Sequence, residues 1–182
     1  MSKWIGLLSL LLALPLRAEL LILACEPEWA ALAREIAGSE ARIVSATTAA
    51  QDVHRIQPRP SLIAKARRAD LLVCTGADLE SAWLPQLLRR ANNPGIRPGS
   101  AGYLEAASQV RLREIPPSID RADGDLHPQG NPHLHLDPRN LPPVANEMAS
   151  RLAILDPKRA ETYRRRADDF AARWYQAVAE WE

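Results

Sequence analysis

Strong net charge is missing from this chain of 182 residues, and histidine and cysteine are scarce. A formal net charge of +1 supplies neither the basic field that holds nucleic acid nor the field that draws a protein onto a charged membrane surface. Both classes of partner are set aside on that ground. The one basic run, Arg164-Arg165-Arg166, lies among Glu161, Asp168 and Asp169 and reads as a solvated helix face. The chain has no His-Glu-x-x-His and no Gly-x-Ser-x-Gly, which removes the zinc-protease and esterase signatures. What remains is ordinary for a globular protein. Hydrophobic residues make up 47% and charged residues 25%, enough for one domain or one domain plus part of another.

Residues 1–18 read as a secretory signal peptide. Lys3 gives the positive start, Ile5 to Leu14 the apolar stretch, and Leu16-Arg17-Ala18 a small-residue cleavage site. The apolar stretch is short for a bilayer span. An uncleaved anchor is the other reading, but cleavage and a periplasmic location are expected. Ile22-Leu23-Ala24-Cys25 loosely resembles a lipoprotein cleavage box, although a buried first strand explains it better. The two cysteines, Cys25 and Cys74, each close an apolar run. A disulfide and a pair of buried free thiols are both open readings.

Along the chain, strand and helix patterns alternate. Short apolar runs at Glu19–Cys25, Ala41–Ala46 and Asp70–Thr75 read as buried strands, with a fourth strand at Val110–Ile115. A helix opened by Pro27 and ended by Gly38 follows the first run, and a helix from Ser61 to Arg68 precedes the third. Leu79–Ala91 reads as a third helix, and residues 92–102 as surface loop. This alternation predicts an α/β fold: a four-stranded parallel sheet with helices on both faces. Asn140–Leu155 then reads as a helix. Asp156-Pro157 opens a second helix running to Glu182, about 26 residues or roughly 39 Å. Its apolar stripe is Ala160, Tyr163, Ala167, Phe170, Trp174, Val178 and Trp181, whose later half is expected to lack a packing partner.

All four histidines lie in two loops. His127, His133 and His135 fall within nine residues of one, and His54 lies in the other. These loops follow the second and fourth expected strands, so both leave the carboxyl edge of the sheet, where open parallel sheets bind ligands. Neutral imidazole is the commonest protein ligand for zinc. His54 and His133 are therefore the candidate metal ligands. Two imidazoles alone bind weakly, so His135, His127, a carboxylate or water would have to supplement them. His133 and His135 would point the same way on an extended segment. His135 reads equally well as a ligand or as a filler beneath the site, and His127 as a mobile flanking group. Asp52 and Asp137 read better as turn caps or as partners orienting an imidazole than as ligands.

Four segments resemble the periplasmic substrate-binding proteins of zinc and manganese ABC transporters, the metal-receptor cluster that includes the so-called adhesins. They are Gln51-Asp-Val-His54 with the following Pro58-Arg-Pro-Ser61; Ala69–Glu80 with its Gly-x-x-Leu-Glu turn; Gly130-Asn-Pro-His-Leu-His-Leu-Asp-Pro138; and Leu155-Asp-Pro157 with its long helix. The resemblance implies capture of Zn2+, with Mn2+ the less favoured cargo, for delivery to a cognate ABC permease, with a periplasmic metallochaperone as a possible further partner and no enzymatic activity. It implies a metal-binding lobe at 19–138 and a helical segment at 139–182 that ends in the helix linking two lobes. Val53 stands where the family has proline and is expected to loosen the first loop. His135 stands where the family has an aromatic residue.

The second lobe, which in this family supplies a third histidine and a carboxylate, is expected to be absent. The chain would then be an incomplete N-terminal half holding half a site, with micromolar or weaker zinc affinity. Two other readings stand beside it. One is a truncated product that binds nothing. The other is a zinc-dependent hydrolase built on His133-Leu-His135, which its place behind four strands disfavours.

Overall fold

A computed structural model of the chain describes residues 19–118 and 127–181. The expected leader at 1–18 lies outside the described residues. Four strands form one parallel sheet in the order β2-β1-β3-β4: β1 Leu20–Ala24, β2 Ala41–Ser45, β3 Leu71–Cys74 and β4 Tyr103–Glu105. β1 is paired on both sides, with Ile22 opposite Ile43 of β2 and Leu71 of β3. That position explains its nearly continuous apolar run, since both faces of a central parallel strand are covered.

The order reverses between β1 and β3, and the helices divide accordingly. Helix α1 (Pro27–Ala37) lies on one face with α4 (Leu141–Leu155) and α5 (Ala160–Trp181). Trp29, Ile36, Met148, Leu152 and Tyr163 fill that core. Helices α2 (Pro60–Arg68) and α3 (Leu84–Ala91) cover the other face over Leu23, Leu72, Trp83 and Leu87. Full burial of a large apolar side chain contributes about 1.5–3 kcal/mol. Two continuous apolar layers, one on each side of a short sheet, therefore account for its stability.

Several expectations need correction. The fourth strand is Tyr103–Glu105, not Val110–Ile115. Gly102 makes the difference: a Cβ there would sit 2.3 Å from the Asp70 carbonyl oxygen and 2.4 Å from that of Gly95. Only glycine lets the chain enter beside β3 at this point. Val110 and Leu112 still pack against the core, but outside the sheet. Helix α3 begins at Leu84 rather than Leu79. Ala77 and Asp78 adopt positive φ, and a turn carries the chain through residues 77–83 first. Pro60 rather than Ser61 opens α2.

The stripe of α5 is also better covered than its sequence suggests. Phe170 and Val178 are buried, and Trp174 stacks on Phe170 and donates its indole N–H to the Pro138 carbonyl at 2.6 Å. Only its end is open, with Trp181 exposed. Arg166 is not part of a solvated face, because it donates to the Ala37 carbonyl at 2.6 Å. Asp156 does more than start a helix: its carboxylate accepts from Arg159 at 2.6 Å and from the Tyr163 hydroxyl at 3.2 Å.

Candidate metal centre

Cys25 and Cys74 form a disulfide that joins the carboxyl ends of β1 and β3, with Cα atoms 4.8 Å apart. Of the two open readings of these cysteines, the bonded one holds. Beside the bridge lies a buried acidic pair that the sequence did not reveal. Thr75 donates its hydroxyl to Glu26 at 3.0 Å and accepts the Trp29 indole N–H at 2.8 Å. Glu80 accepts the backbone N–H of Thr75 at 2.7 Å and of Gly76 at 3.1 Å. Burial, followed by the neighbouring charge of Glu80, pushes the Glu26 carboxyl up to about 10. Burial raises Glu80 as well, but its hydrogen bonds act in the opposite direction. The proton therefore resides on Glu26.

The histidines lie along the same carboxyl edge. His54 is the middle residue of a single 3-10 turn, Val53–Arg55, capped by Asp52. The Asp52 carboxylate accepts the His54 backbone N–H at 3.0 Å and faces ring Nδ1 at 3.1 Å. These two contacts hold Asp52 below the usual carboxylate range. A proton on Nδ1, shared with Asp52, leaves Nε2 with a free lone pair, the arrangement that orients metal-binding histidines. The loop is tied to the core by the Trp83 indole N–H, which donates to the Val53 carbonyl at 2.8 Å. A backbone carbonyl serves whatever the side chain, so valine at 53 does not leave the loop unanchored.

The second histidine loop is built from tight turns. Gly130, at φ 118°, sits so close to the Arg113 carbonyl that a Cβ would come within 2.7 Å of it. Its N–H closes a turn onto the His127 carbonyl at 3.0 Å, and Asn131 N–H bonds the Arg113 carbonyl at 2.8 Å. The Asn131 side chain accepts the His133 N–H at 2.9 Å and donates to Glu114 at 2.7 Å. His133 thus begins a 3-10 turn, Leu134–Leu136, and does not lie in an extended segment. The rings of His133 and His135 are 6.1 Å apart and nearly perpendicular. His135 stands edge-on to Trp29 with Nδ1 3.3 Å from the Glu28 carboxylate. Asp137 caps the following turn and is held by Arg139 at 2.8 and 3.0 Å, which keeps its carboxyl below the ordinary range. That is the cap reading of Asp137.

The structure brings His54 and His133 together, their ring centroids 6.3 Å apart. It also places His127 where the sequence reading did not: its Nε2 is 3.3 Å from His54 Nε2 and the rings are 5.4 Å apart. Clustering in sequence was the only available signal for it. A cavity of about 280 Å³ opens beside these three rings, lined also by Glu114, Pro116 and Asn131. Desolvation, then the neighbouring imidazoles of His135, His54 and His127, depress the His133 pKa below that of an ordinary histidine. A neutral imidazole is the metal-binding form.

An α/β sheet whose carboxyl edge gathers imidazoles from two loops is the architecture of a metal-receptor lobe. The profile of the ZnuA family, described as the periplasmic component A of a zinc-uptake complex, matches residues 22–182, and the chain belongs to that family. The family is one of transport binding proteins, not enzymes. Among curated relatives, the iron-binding protein YfeA of Yersinia pestis is 30% identical over 140 residues, covering 77% of this chain and 40% of the relative. The manganese ABC transporter substrate-binding lipoprotein PsaA of Streptococcus pneumoniae is 27% identical, covering 72% and 40%. Of solved structures, Zn(II)-bound AdcA from Streptococcus pneumoniae superposes with TM-score 0.69 at 19% identity, covering 87% of this chain and 31% of that one. A manganese-bound periplasmic metal-binding protein from Candidatus Liberibacter asiaticus gives 0.68 at 18% identity, covering 85% and 52%. These superpositions establish the fold. The chain spans less than half the length of the curated relatives named here. No helix among the described residues is long and apolar enough to cross a membrane.

Proposed function

We propose that this chain captures zinc in the periplasm for an ABC permease, with His54 and His133 as ligands. The observation that carries the proposal is the convergence of the two rings, one from the loop after β2 and one from the loop after β4, beside an open cavity. The orientation of His54 by Asp52 supports it, because it turns Nε2 away from the carboxylate and toward the neighbouring histidine. Relatives are named for iron and manganese as well as zinc. A donor set of imidazoles favours zinc, since manganese prefers more oxygen ligands. In this reading residues 19–138 form the metal-binding lobe, and 139–182 the helical segment leading to a linking helix. The partner is the cognate permease; a metallochaperone that loads the site is a further candidate.

Calorimetric titration of the purified chain with zinc at neutral pH tests the reading. Binding that disappears in the His54→Ala/His133→Ala double variant is the expected result. A chain with no measurable zinc affinity, or a double variant with unchanged affinity, contradicts it.

A further inference from the structure

We propose that His127 is a third ligand to the captured ion, so that this lobe presents three imidazoles by itself; the inference rests on the metal-capture reading above. The geometry behind it is the 3.3 Å separation of His54 Nε2 and His127 Nε2. Zinc binds imidazole nitrogen at about 2.0–2.1 Å, and two such ligands at a tetrahedral angle stand roughly 3.3–3.4 Å apart. The two nitrogens are therefore already spaced as ligands of one ion.

The surroundings of each ring agree. The other nitrogen of His54 faces Asp52 at 3.1 Å, leaving Nε2 as the nitrogen turned toward His127. The other nitrogen of His127 is buried and has no hydrogen-bond partner among the described residues. The contact with His54 is thus the polar engagement this ring makes there. The turn that Gly130 closes onto the His127 carbonyl fixes the backbone on which the ring stands. His133 lies on the same cavity wall. Only the His54 and His127 nitrogens already stand at ligand spacing, and the His133 ring, its centroid 6.3 Å from that of His54, has to turn toward them for the three imidazoles to form an open zinc site. The weak affinity expected of two imidazoles is raised accordingly.

Three single variants, His54→Ala, His133→Ala and His127→Ala, are titrated with zinc, with circular dichroism to verify the fold. Loss of an outer partner of a ligand typically costs 10–100-fold in affinity. Loss of His127 as a ligand should cost at least as much, about 100-fold. A His127→Cys variant loaded with cobalt separates ligation from mere support of His54. A thiolate-to-cobalt charge-transfer band, absent from the unsubstituted chain, is expected because position 127 reaches the ion. If His54→Ala and His133→Ala weaken binding while His127→Ala does not, the inference is overturned and the metal-capture reading stands. An absent charge-transfer band on a bound cobalt ion likewise overturns the inference alone. If none of the three weakens binding, both are overturned.

Discussion

Breaking the Cys25–Cys74 bridge should destabilise the fold while leaving the metal site in place. The bridge closes a loop with a sequence separation of 49 and joins two neighbouring strands. In the chain-entropy account, a loop of this length restricts the unfolded chain by about 4 kcal/mol at 25 °C. For a domain of this size, each kcal/mol moves the melting midpoint by roughly 2–4 °C, so the expected loss is about 8–16 °C. Both cysteines are fully buried, and a reductant therefore gains access only when the fold opens. The clean perturbation is the Cys25→Ala/Cys74→Ala variant, compared with the oxidised chain by urea unfolding and by thermal melting. Zinc affinity should be retained, because the histidines are held by their own turns, by Asp52 and by Trp83. A variant with the same unfolding midpoint as the oxidised chain would refute the reasoning.

Glu26→Gln should flatten the dependence of stability on pH. The folded-state pKa of Glu26 is raised from 4.5 to about 10, so the stability linked to its proton is present below pH 4.5 and lost as pH rises through 10. Urea unfolding at neutral and alkaline pH should show the original chain losing stability and the variant losing much less; parallel losses count against the assignment. Asp52→Ala should weaken zinc binding by roughly 10–100-fold, as expected when a ligand's orienting partner is removed. Titration calorimetry reads this, and unchanged affinity argues against the role given to Asp52. Trp83→Phe removes the hydrogen bond to Val53 while keeping an aromatic ring, and should cost about 1 kcal/mol in urea unfolding. A neutral result would mean that the loop is anchored elsewhere.

The two central strands were legible because a parallel strand covered on both faces must be apolar throughout, as Leu20–Ala24 and Leu71–Cys74 are, and the edge strand Ala41–Ser45 by its shorter apolar run. The fourth strand was misplaced because three residues carry too little pattern to read. Its position depends instead on the close approach of Gly102 to the Asp70 and Gly95 carbonyls, a tertiary fact. The two histidine loops were legible as a meeting place because their order along the chain fixes the sheet edge they leave from. Their local shape was not, since the 3-10 turn at Leu134–Leu136 depends on Asn131 and Asn140 bonding the backbone on either side of it. The contact between His54 and His127 spans 73 residues and has no signature in spacing. The protonated Glu26 was hidden for the same reason: its partners Thr75 and Glu80 arrive from β3 and the turn after it.

The most direct test is the zinc-edge X-ray absorption spectrum of the one-to-one complex, taken for the chain and for its His54→Ala/His133→Ala variant at a zinc concentration that loads both. The account predicts nitrogen neighbours at roughly 2.0–2.1 Å, imidazole outer scattering from three rings, no sulfur, and a sharp loss of that imidazole scattering in the variant. A spectrum without imidazole scattering, or one identical in the variant, would contradict it.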